Sequence, residues 1–589
     1  MTRTPLRPLA RILVARRAGE NPDAIERANL VARHEADRDA QRQRAEGRLL
    51  VLGVAFLCAF AMVGLRMSAL AASDPAEPRS AASGAQIVAT RADITDRNGR
   101  ILATNLSTHA LYAQPPHMID PVKAARQLAK IFPDLSEERL LKQFTGERKF
   151  IWIKRRISPE QQQAVFDIGD PGLLFGPREM RLYPNGALAA HVLGGAGFGR
   201  EGVNSAEVIG VAGIERALDT EMRDPGRGDV PLTLSLDLTI QAAVERVLEG
   251  GMRLMNARGA AAVLMDIHTG EIVSLASLPD FDPNDRPRPL TQGDQAESPL
   301  FNRAVQGLYE LGSTFKIFTI AQGIEERLVS QSTWIDTTGP LRWGTHRIRD
   351  FRDHGKALTV EDVIVKSSNI GTARVAMMIG PERQQGFLGS LGLFAPSPVE
   401  LIEAPGAKPL LPRNWSEIHT MTISYGHGMS ASPLHMATAY ATLLNGGYKV
   451  TPTLLRRETP VIGPQVVSSN TSKQARDMLR KVVSEGTASL ADVAGYHVAG
   501  KTGTADKPKA QGGYYDEKVI ATFASVFPAN DPKYVLVVTL DEPIDTTGEK
   551  PRRTAGWTAV PVAAEVIRRV APLLGLAPDT SAGVTLARN

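Results

Sequence analysis

The feature that most constrains this chain is an uncharged run of 17 residues, Leu49–Leu65, closed by Arg48 and Arg66. A helix of that length reaches across the hydrocarbon core of a bilayer once its flanking arginines snorkel to the interfaces. Residues 1–48 hold 11 Arg against 7 Asp or Glu, and basic residues on one flank keep that flank in the cytoplasm. The expected topology is single-pass: 1–48 an Arg-rich cytoplasmic tail, 49–68 the transmembrane helix, and the remaining body exported. Ala69-Leu70-Ala71 offers a signal-peptide-like cleavage site, but the long leader and the intervening Arg66 weigh toward a retained anchor.

Charge and cysteine usage then exclude two function classes. The net charge is +5, of which the tail accounts for +4, so the exported body is nearly neutral and carries no nucleic-acid footprint. The only cysteine, Cys58, lies within the span, so the body can form no disulfide and offers no thiolate to a metal. The 11 His residues show no zinc-like spacing, and no cofactor or metal is expected.

Beyond the span, 69–86 is small-residue- and Pro-rich and reads as a linker. Residues 87–228 alternate short apolar runs with helical candidates at Asp120–Ile131 and Ser158–Phe166. The seven glycines of Gly194–Gly213 read as an irregular connection. A second unit, 229–577, opens with a strand at Val230–Leu236 and a helix at Thr239–Leu248. The hairpin Ala260–Ile267/Glu271–Ala276 follows, turning at His268-Thr269-Gly270. Two more strands, Val519–Phe527 and Tyr534–Leu540, close the unit after a long helical stretch. Strands at both ends with helices between predict an α+β domain whose sheet joins the N- and C-terminal parts. A polar tail occupies 578–589.

Three motifs carry chemistry. Ser313-Thr314-Phe315-Lys316 opens a predicted helix, Thr314–Leu328, and its i,i+3 spacing puts hydroxyl and amine on one helix face. At a helix N-terminus a nucleophile meets free N–H groups and a positive dipole end. A lysine accepts the serine proton if burial and a neighbouring cation lower its pKa. Alone, a capping serine and a solvated lysine explain such a motif as well. The second motif is Ser367-Ser368-Asn369, ahead of the helical run Ile370–Ile379. A second copy, Ser468-Ser469-Asn470, precedes an amphipathic helix and reads as a plain N-cap. The third is Lys501-Thr502-Gly503-Thr504, where a cation, a hydroxyl and a glycine on a strand edge suit a substrate carboxylate and close backbone approach.

In this order the three motifs are the signature of penicillin-binding proteins and serine β-lactamases. From Arg91 to about Leu574 the chain resembles a class B penicillin-binding protein, most of all the division-specific type. Arg91-Ala92-Asp93-Ile94-Thr95-Asp96-Arg97-Asn98-Gly99, Arg181-Leu182-Tyr183-Pro184-Asn185-Gly186 with His191 and Gly194, and Gly210–Glu215 resemble that family's pedestal (dimerisation-type) domain, here 87–228. Asn302-Arg303-Ala304, Ser424-Tyr425-Gly426-His427-Gly428, Ala439-Tyr440 and Asn445-Gly446-Gly447 match downstream, within the transpeptidase domain, 229–577. Ala92 replaces a usual Gly, and Leu311 a usual Pro.

The resemblance implies a penicillin-binding/serine β-lactamase-like fold, an antiparallel sheet flanked by helices. It implies a D,D-transpeptidase in which Ser313 attacks a D-Ala-D-Ala stem peptide and Lys316 takes the proton. Ser367 and Asn369 would support proton transfer, Lys501, Thr502, Gly503 and Thr504 would bind the substrate carboxylate, and the backbone N–H groups of Ser313 and Thr504 would form the oxyanion hole. Implied partners are peptidoglycan stem peptides on the lipid-linked precursor polymer, β-lactam antibiotics, a membrane glycosyltransferase of the shape-elongation-division-sporulation family (FtsW-type) and other divisome membrane proteins. The implied location is the bacterial inner membrane at the division septum, with the catalytic domain periplasmic. An elongation-specific transpeptidase and a D,D-carboxypeptidase share these residues. A β-lactamase fits the membrane span and pedestal poorly, and a β-lactam receptor or division scaffold is the non-enzymatic alternative.

Overall fold

The computed structural model describes residues 8–72, 91–201, 206–228, 230–509 and 512–580. The chain divides into two compact units, 1–82 with 113–151, and 83–112 with 152–589.

In the first unit the expected span lies inside a longer helix, Asp23–Ala72. Leu49–Ser68 is exposed all round, which an apolar helix tolerates only in lipid or against a partner. Among the described residues it is the one helix long and apolar enough to cross a membrane. Residues 23–48 of the basic tail belong to that same helix, with Arg42 paired to Glu46 one turn on at 2.9 Å, and Leu9–Arg17 forms a separate short helix. The helix foreseen at Asp120–Ile131 runs Pro121–Ile131, with the Asp120 carboxylate accepting from Lys123 N–H as its N-cap.

In the second unit a five-stranded sheet runs in the order Ile151–Ile157, Ile101–Ala113, Ile94–Thr95, Leu232–Thr233, with Leu173–Leu182 also pairing with Ile101–Ala113. Ile94–Thr95 pairs parallel with Leu232–Thr233, so only two residues of the strand expected at Val230–Leu236 are regular. Ser158 and Gln161 close a capping box on the helix Pro159–Phe166. The glycine-rich stretch, expected as an irregular connection, holds two strands, Gly195–Glu201 and Ala206–Ala212, that pair antiparallel with two register shifts. A Cβ at Gly194 would lie 2.1 Å from the Ala212 carbonyl, and one at Gly210 would lie 1.9 Å from the Glu215 oxygen. Close backbone packing explains these glycines, not mobility.

The larger sheet of this unit is antiparallel, in the order Ala499–Pro508, Tyr514–Phe527, Tyr534–Asp541, Gly259–Asp266, Ile272–Leu278. Tyr534–Asp541 lies beside Gly259–Asp266 along its whole length, joining the C-terminal strands to the N-terminal hairpin as the strand distribution predicts. The three inner strands are buried on both faces apart from the polar start of Tyr514–Phe527. The helices Leu238–Leu254, Pro433–Leu444, Ser469–Ser484 and Ala559–Leu573 pack against the sheet. Ala499–Pro508, which carries the third motif, is an edge strand, so alternate backbone N–H and C=O groups lack a sheet partner.

Candidate active site

Close backbone approach builds the site. Gly312–Phe315 forms a 3-10 turn that runs directly into the helix Lys316–Glu325, so the nucleophile candidate sits on the tight first turn. Gly312 has φ +56°, and a Cβ there would lie 2.8 Å from the Thr504 carbonyl oxygen. A Cβ on Gly503 would lie 2.1 Å from the Leu311 oxygen, and one on Gly426 would lie 2.0 Å from the Gly312 oxygen. Three separate segments, 311–313, 426 and 503–504, thus meet backbone to backbone because three glycines permit it. Leu311 is buried, and its carbonyl accepts from the Thr314 hydroxyl at 2.9 Å. Ser313 is half-buried, and among the described residues its hydroxyl has no hydrogen-bond partner.

Lys316 and Lys501 are both 0% exposed, which rules out a merely solvated Lys316. Lys316 Nζ donates to the Ser367 carbonyl and, at 3.0 Å, to the Ser367 hydroxyl. Lys501 Nζ donates to the same hydroxyl at 3.0 Å and to the Thr502 carbonyl at 3.4 Å. One hydroxyl oxygen therefore holds two buried amines, and no carboxylate forms an ion pair with either among the described residues. Charging both is prohibitive there. Burial, then the neighbouring Lys501, pushes Lys316 well below the usual lysine range, against a smaller upward pull from Asp350. Burial lowers Lys501 to about 7. The two amines share a hydrogen-bond partner and titrate as a pair.

Ser367 is held at φ +61°, an uncommon conformation for a non-glycine residue. The strain is fixed from the next residues onward. Ser368 caps the helix Asn369–Ile379 by accepting from Gly371 N–H and donates to Asp350 at 2.7 Å. Asp350 also accepts from the N–H groups of Asn369 and Ile370 at 2.6 and 3.0 Å, a carboxylate seated on a helix N-terminus. The Asn369 side chain is turned toward the preceding loop, its amide donating to the Arg349 carbonyl at 2.9 Å. It makes no hydrogen bond to Ser313, Lys316 or Lys501. The Thr502 hydroxyl pairs with that of Thr487 at 2.8 Å, and the Thr504 hydroxyl accepts from Ala555 N–H at 3.0 Å.

Two acids not singled out by sequence reasoning support the site. Asp350 is one. The other is Glu310, three residues before Ser313, which accepts from Gly428 N–H at 2.8 Å and from the Tyr514 hydroxyl at 3.1 Å. Its other oxygen lies 3.2 Å from His427 Nδ1. Glu310 thus ties the 426–428 turn behind Ser313 to the strand beside the third motif. Burial first, then Glu310, pushes the Tyr514 hydroxyl up to about 12. Neither acid has a spacing that marks it in sequence. The copy at Ser468-Ser469-Asn470 caps Ser469–Ser484 and binds Glu325, as a plain N-cap does. Among the described residues no cluster of His, Cys, Asp and Glu could hold a metal.

With this geometry in view, the comparisons with known proteins fall into one family. A penicillin binding protein transpeptidase domain matches residues 260–567, and a penicillin-binding protein dimerisation domain matches 86–226. A probable peptidoglycan D,D-transpeptidase FtsI of Caulobacter vibrioides is 34% identical over 568 residues, covering 94% of this chain and 93% of that protein. The peptidoglycan D,D-transpeptidase FtsI of Escherichia coli is 27% identical over 526 residues, 84% of this chain and 85% of its own. Among solved structures, mycobacterial penicillin binding protein 3 complexed with aztreonam superposes with a TM-score of 0.63 at 25% identity, over 83% of this chain and 97% of that one. The chain belongs to the class B penicillin-binding proteins, which join a dimerisation domain to a transpeptidase domain.

Proposed function

We propose that this protein is a peptidoglycan D,D-transpeptidase of septal cell-wall synthesis, working through an acyl-enzyme on Ser313. The observation that carries the reading is the pair of buried amines on one Ser367 hydroxyl, beside a serine that glycine packing presses against an edge strand. Lys316, neutral because it is buried next to Lys501, takes the Ser313 proton as the oxygen attacks the penultimate D-Ala carbonyl. The oxyanion that forms is held by the N–H groups of Ser313 and Thr504, a contribution of about 10²–10³ per donor. Ser367 passes the proton toward the departing D-Ala amine, and Asn369, once its amide leaves the Arg349 carbonyl, holds the substrate peptide. Lys501, Thr502 and Gly503 receive the terminal carboxylate, the group a β-lactam carboxylate imitates. An amine from a second stem peptide then attacks the ester, forms the cross-link and frees Ser313.

The same reading assigns 87–228 to a pedestal, 229–577 to the transpeptidase domain and 49–68 to an inner-membrane anchor with a cytoplasmic N-terminus. A membrane glycosyltransferase of the FtsW type is the partner that the resemblance to the division-specific class B enzymes implies. The test is labelling of full-length protein in detergent with a fluorescent penicillin, followed by reaction with stem pentapeptides. A labelled Ser313 peptide and cross-linked dimers support the reading. Release of D-Ala with tetrapeptide monomers alone makes it a carboxypeptidase, and no label at all refutes the acyl-enzyme.

A further inference from the structure

Residues 341–356 carry five Arg or Lys and two Asp, and both acids are committed elsewhere. Asp350 seats the catalytic-motif helix, and Asp353 accepts from Gly355 N–H in a local turn. Arg342, Arg347, Arg349, Arg352 and Lys356 are exposed, and among the described residues their side chains make no ion pair or hydrogen bond. Two of them stand directly opposite each other: Leu341–Trp343 and His346–Ile348 form a two-stranded ribbon in which Arg342 faces Arg347. Like charges in that position destabilise a ribbon unless an anion lies between them.

The ribbon is firmly placed all the same. Ile348, with Leu341 against it, packs into a core with Ile370, Ala373 and Met421. That turns the alternate residues, Arg342 and Arg347, away from the core. The Arg349 carbonyl and the Asp350 carboxylate bind Ser368, Asn369 and Ile370, so the segment that carries these cations is anchored directly beside the second motif. Trp343 and Phe351 add exposed aromatic surface, Phe351 being 86% exposed.

We propose that this ribbon is a docking subsite for the free side-chain carboxylates of a peptidoglycan strand whose stem peptide enters the Ser313 site. The inference rests on the transpeptidase reading. Guanidinium pairs grip carboxylates through paired, charge-assisted hydrogen bonds, and a stem peptide presents carboxylates within a few residues of its D-Ala-D-Ala end. The aromatic faces suit the apolar faces of sugar rings on the same polymer. A bound carboxylate also removes the Arg342–Arg347 repulsion, so the ribbon is more stable with its ligand than without it.

The experiment uses full-length protein in detergent and uncross-linked glycan strands bearing stem pentapeptides, with side-chain carboxylates either free or amidated. Binding is followed by co-sedimentation at several salt concentrations, and fluorescent-penicillin acylation reports on Ser313 independently of any polymer. The wild type is expected to bind free-carboxylate strands at least about tenfold more tightly than amidated ones. R342Q/R347Q is expected to lose that preference and most of the salt dependence. Should the double variant fail to fold, single R347Q and R352Q are expected to weaken the preference in part. Equal binding of free and amidated strands by the wild type, or an undiminished preference in the variants, overturns the subsite. So does capture of the protein by anionic-lipid vesicles through these arginines with no capture of strands. A wild type that penicillin does not acylate refutes the transpeptidase reading instead.

Discussion

Replacing Lys501 with Met separates what the site costs from what it does. The side chains are similar in length and Met carries no charge, so the change removes the amine and leaves the packing. Burial takes Lys501 from 10.5 to about 7, and at ~1.4 kcal/mol per tenfold change this is a penalty of at most about 5 kcal/mol near neutral pH. The hydrogen bonds to Ser367 and Thr502 return about 1 kcal/mol each. The variant should therefore be more stable by about 2–3 kcal/mol, a Tm rise of a few degrees in a unit of this size. Because the folded lysine binds protons more weakly than the unfolded one, the wild type loses stability as pH falls from about 10.5 to about 7 and then levels off. The Tm difference should open across that window and stay constant below it. The catalytic consequence runs the other way. Lys501 is one of the causes holding Lys316 down, so without it Lys316 protonates more easily and the acid limb of the acylation profile moves to higher pH. Thermal scans of the full-length protein in detergent, with penicillin acylation rates from pH 5 to 10, read both. A variant that melts below the wild type at every pH, or keeps its acid limb in place, refutes the buried-amine argument.

Four further outcomes are expected. Ser313→Ala should lose covalent penicillin labelling by about 10⁶ in rate with its Tm unchanged, checked by gel fluorescence. Gly426→Ala, whose Cβ would sit 2.0 Å from the Gly312 oxygen at φ +86°, should displace the nucleophile turn and slow acylation by about 10², while circular dichroism stays native. Glu310→Gln should lower stability by about 1–3 kcal/mol and let the Tyr514 hydroxyl titrate below about 12, seen as tyrosinate absorbance absent from a Tyr514→Phe control. A C-terminal reporter should be active only outside the cytoplasm, with N-terminal sequencing of the mature protein still finding residues 1–48.

Where local chemistry and tertiary structure agree, the chain is readable. The helical candidates at Asp120–Ile131 and Ser158–Phe166 form, with Asp120 and Ser158 as their N-caps, and the expected hairpin forms at 259–278, its register shifting once between Leu264 and Met265. The strand expected from Val519 begins at Tyr514, because Tyr514–Lys518 is polar on both faces and extends beyond the core, where alternation carries no signal. The expected helix Thr314–Leu328 ends at Glu325, and Arg327 already stands at φ +58°. The three motifs could be ordered along the chain but not joined by it. That Lys316 and Lys501 meet on Ser367 depends on a contact between residues 134 apart. Glu310 and Asp350 are single acids whose partners come from distant segments, so no spacing reveals them.

The pedestal motifs that resemble the family's most strongly turn out to hold the second unit together. Arg91 is buried against Glu215 and Asp219 at 2.6 and 2.7 Å, and Arg181 reaches Glu215 at 2.7 Å. Asp96 closes the 96–100 turn and also accepts from Leu238 N–H at the start of the helix Leu238–Leu254. Arg97 pairs with Glu271 on the hairpin of the larger sheet at 2.7 Å, and the other oxygen of Glu271 accepts from Arg457 N–H. Asp96 and Arg97 therefore tie the small sheet to the helix Leu238–Leu254 and to the 259–278 hairpin, while Arg91 neutralises two buried acids. Removing one partner of such a buried pair costs about 3–5 kcal/mol, because the remaining charge is stranded. A loss of function at Arg91, Asp96 or Arg97 consequently reports first on whether the unit is folded. A membrane partner is better sought with substitutions at exposed positions on the neighbouring strand Ile101–Ala113, such as Ile101 and Leu106, whose side chains carry no part of this network.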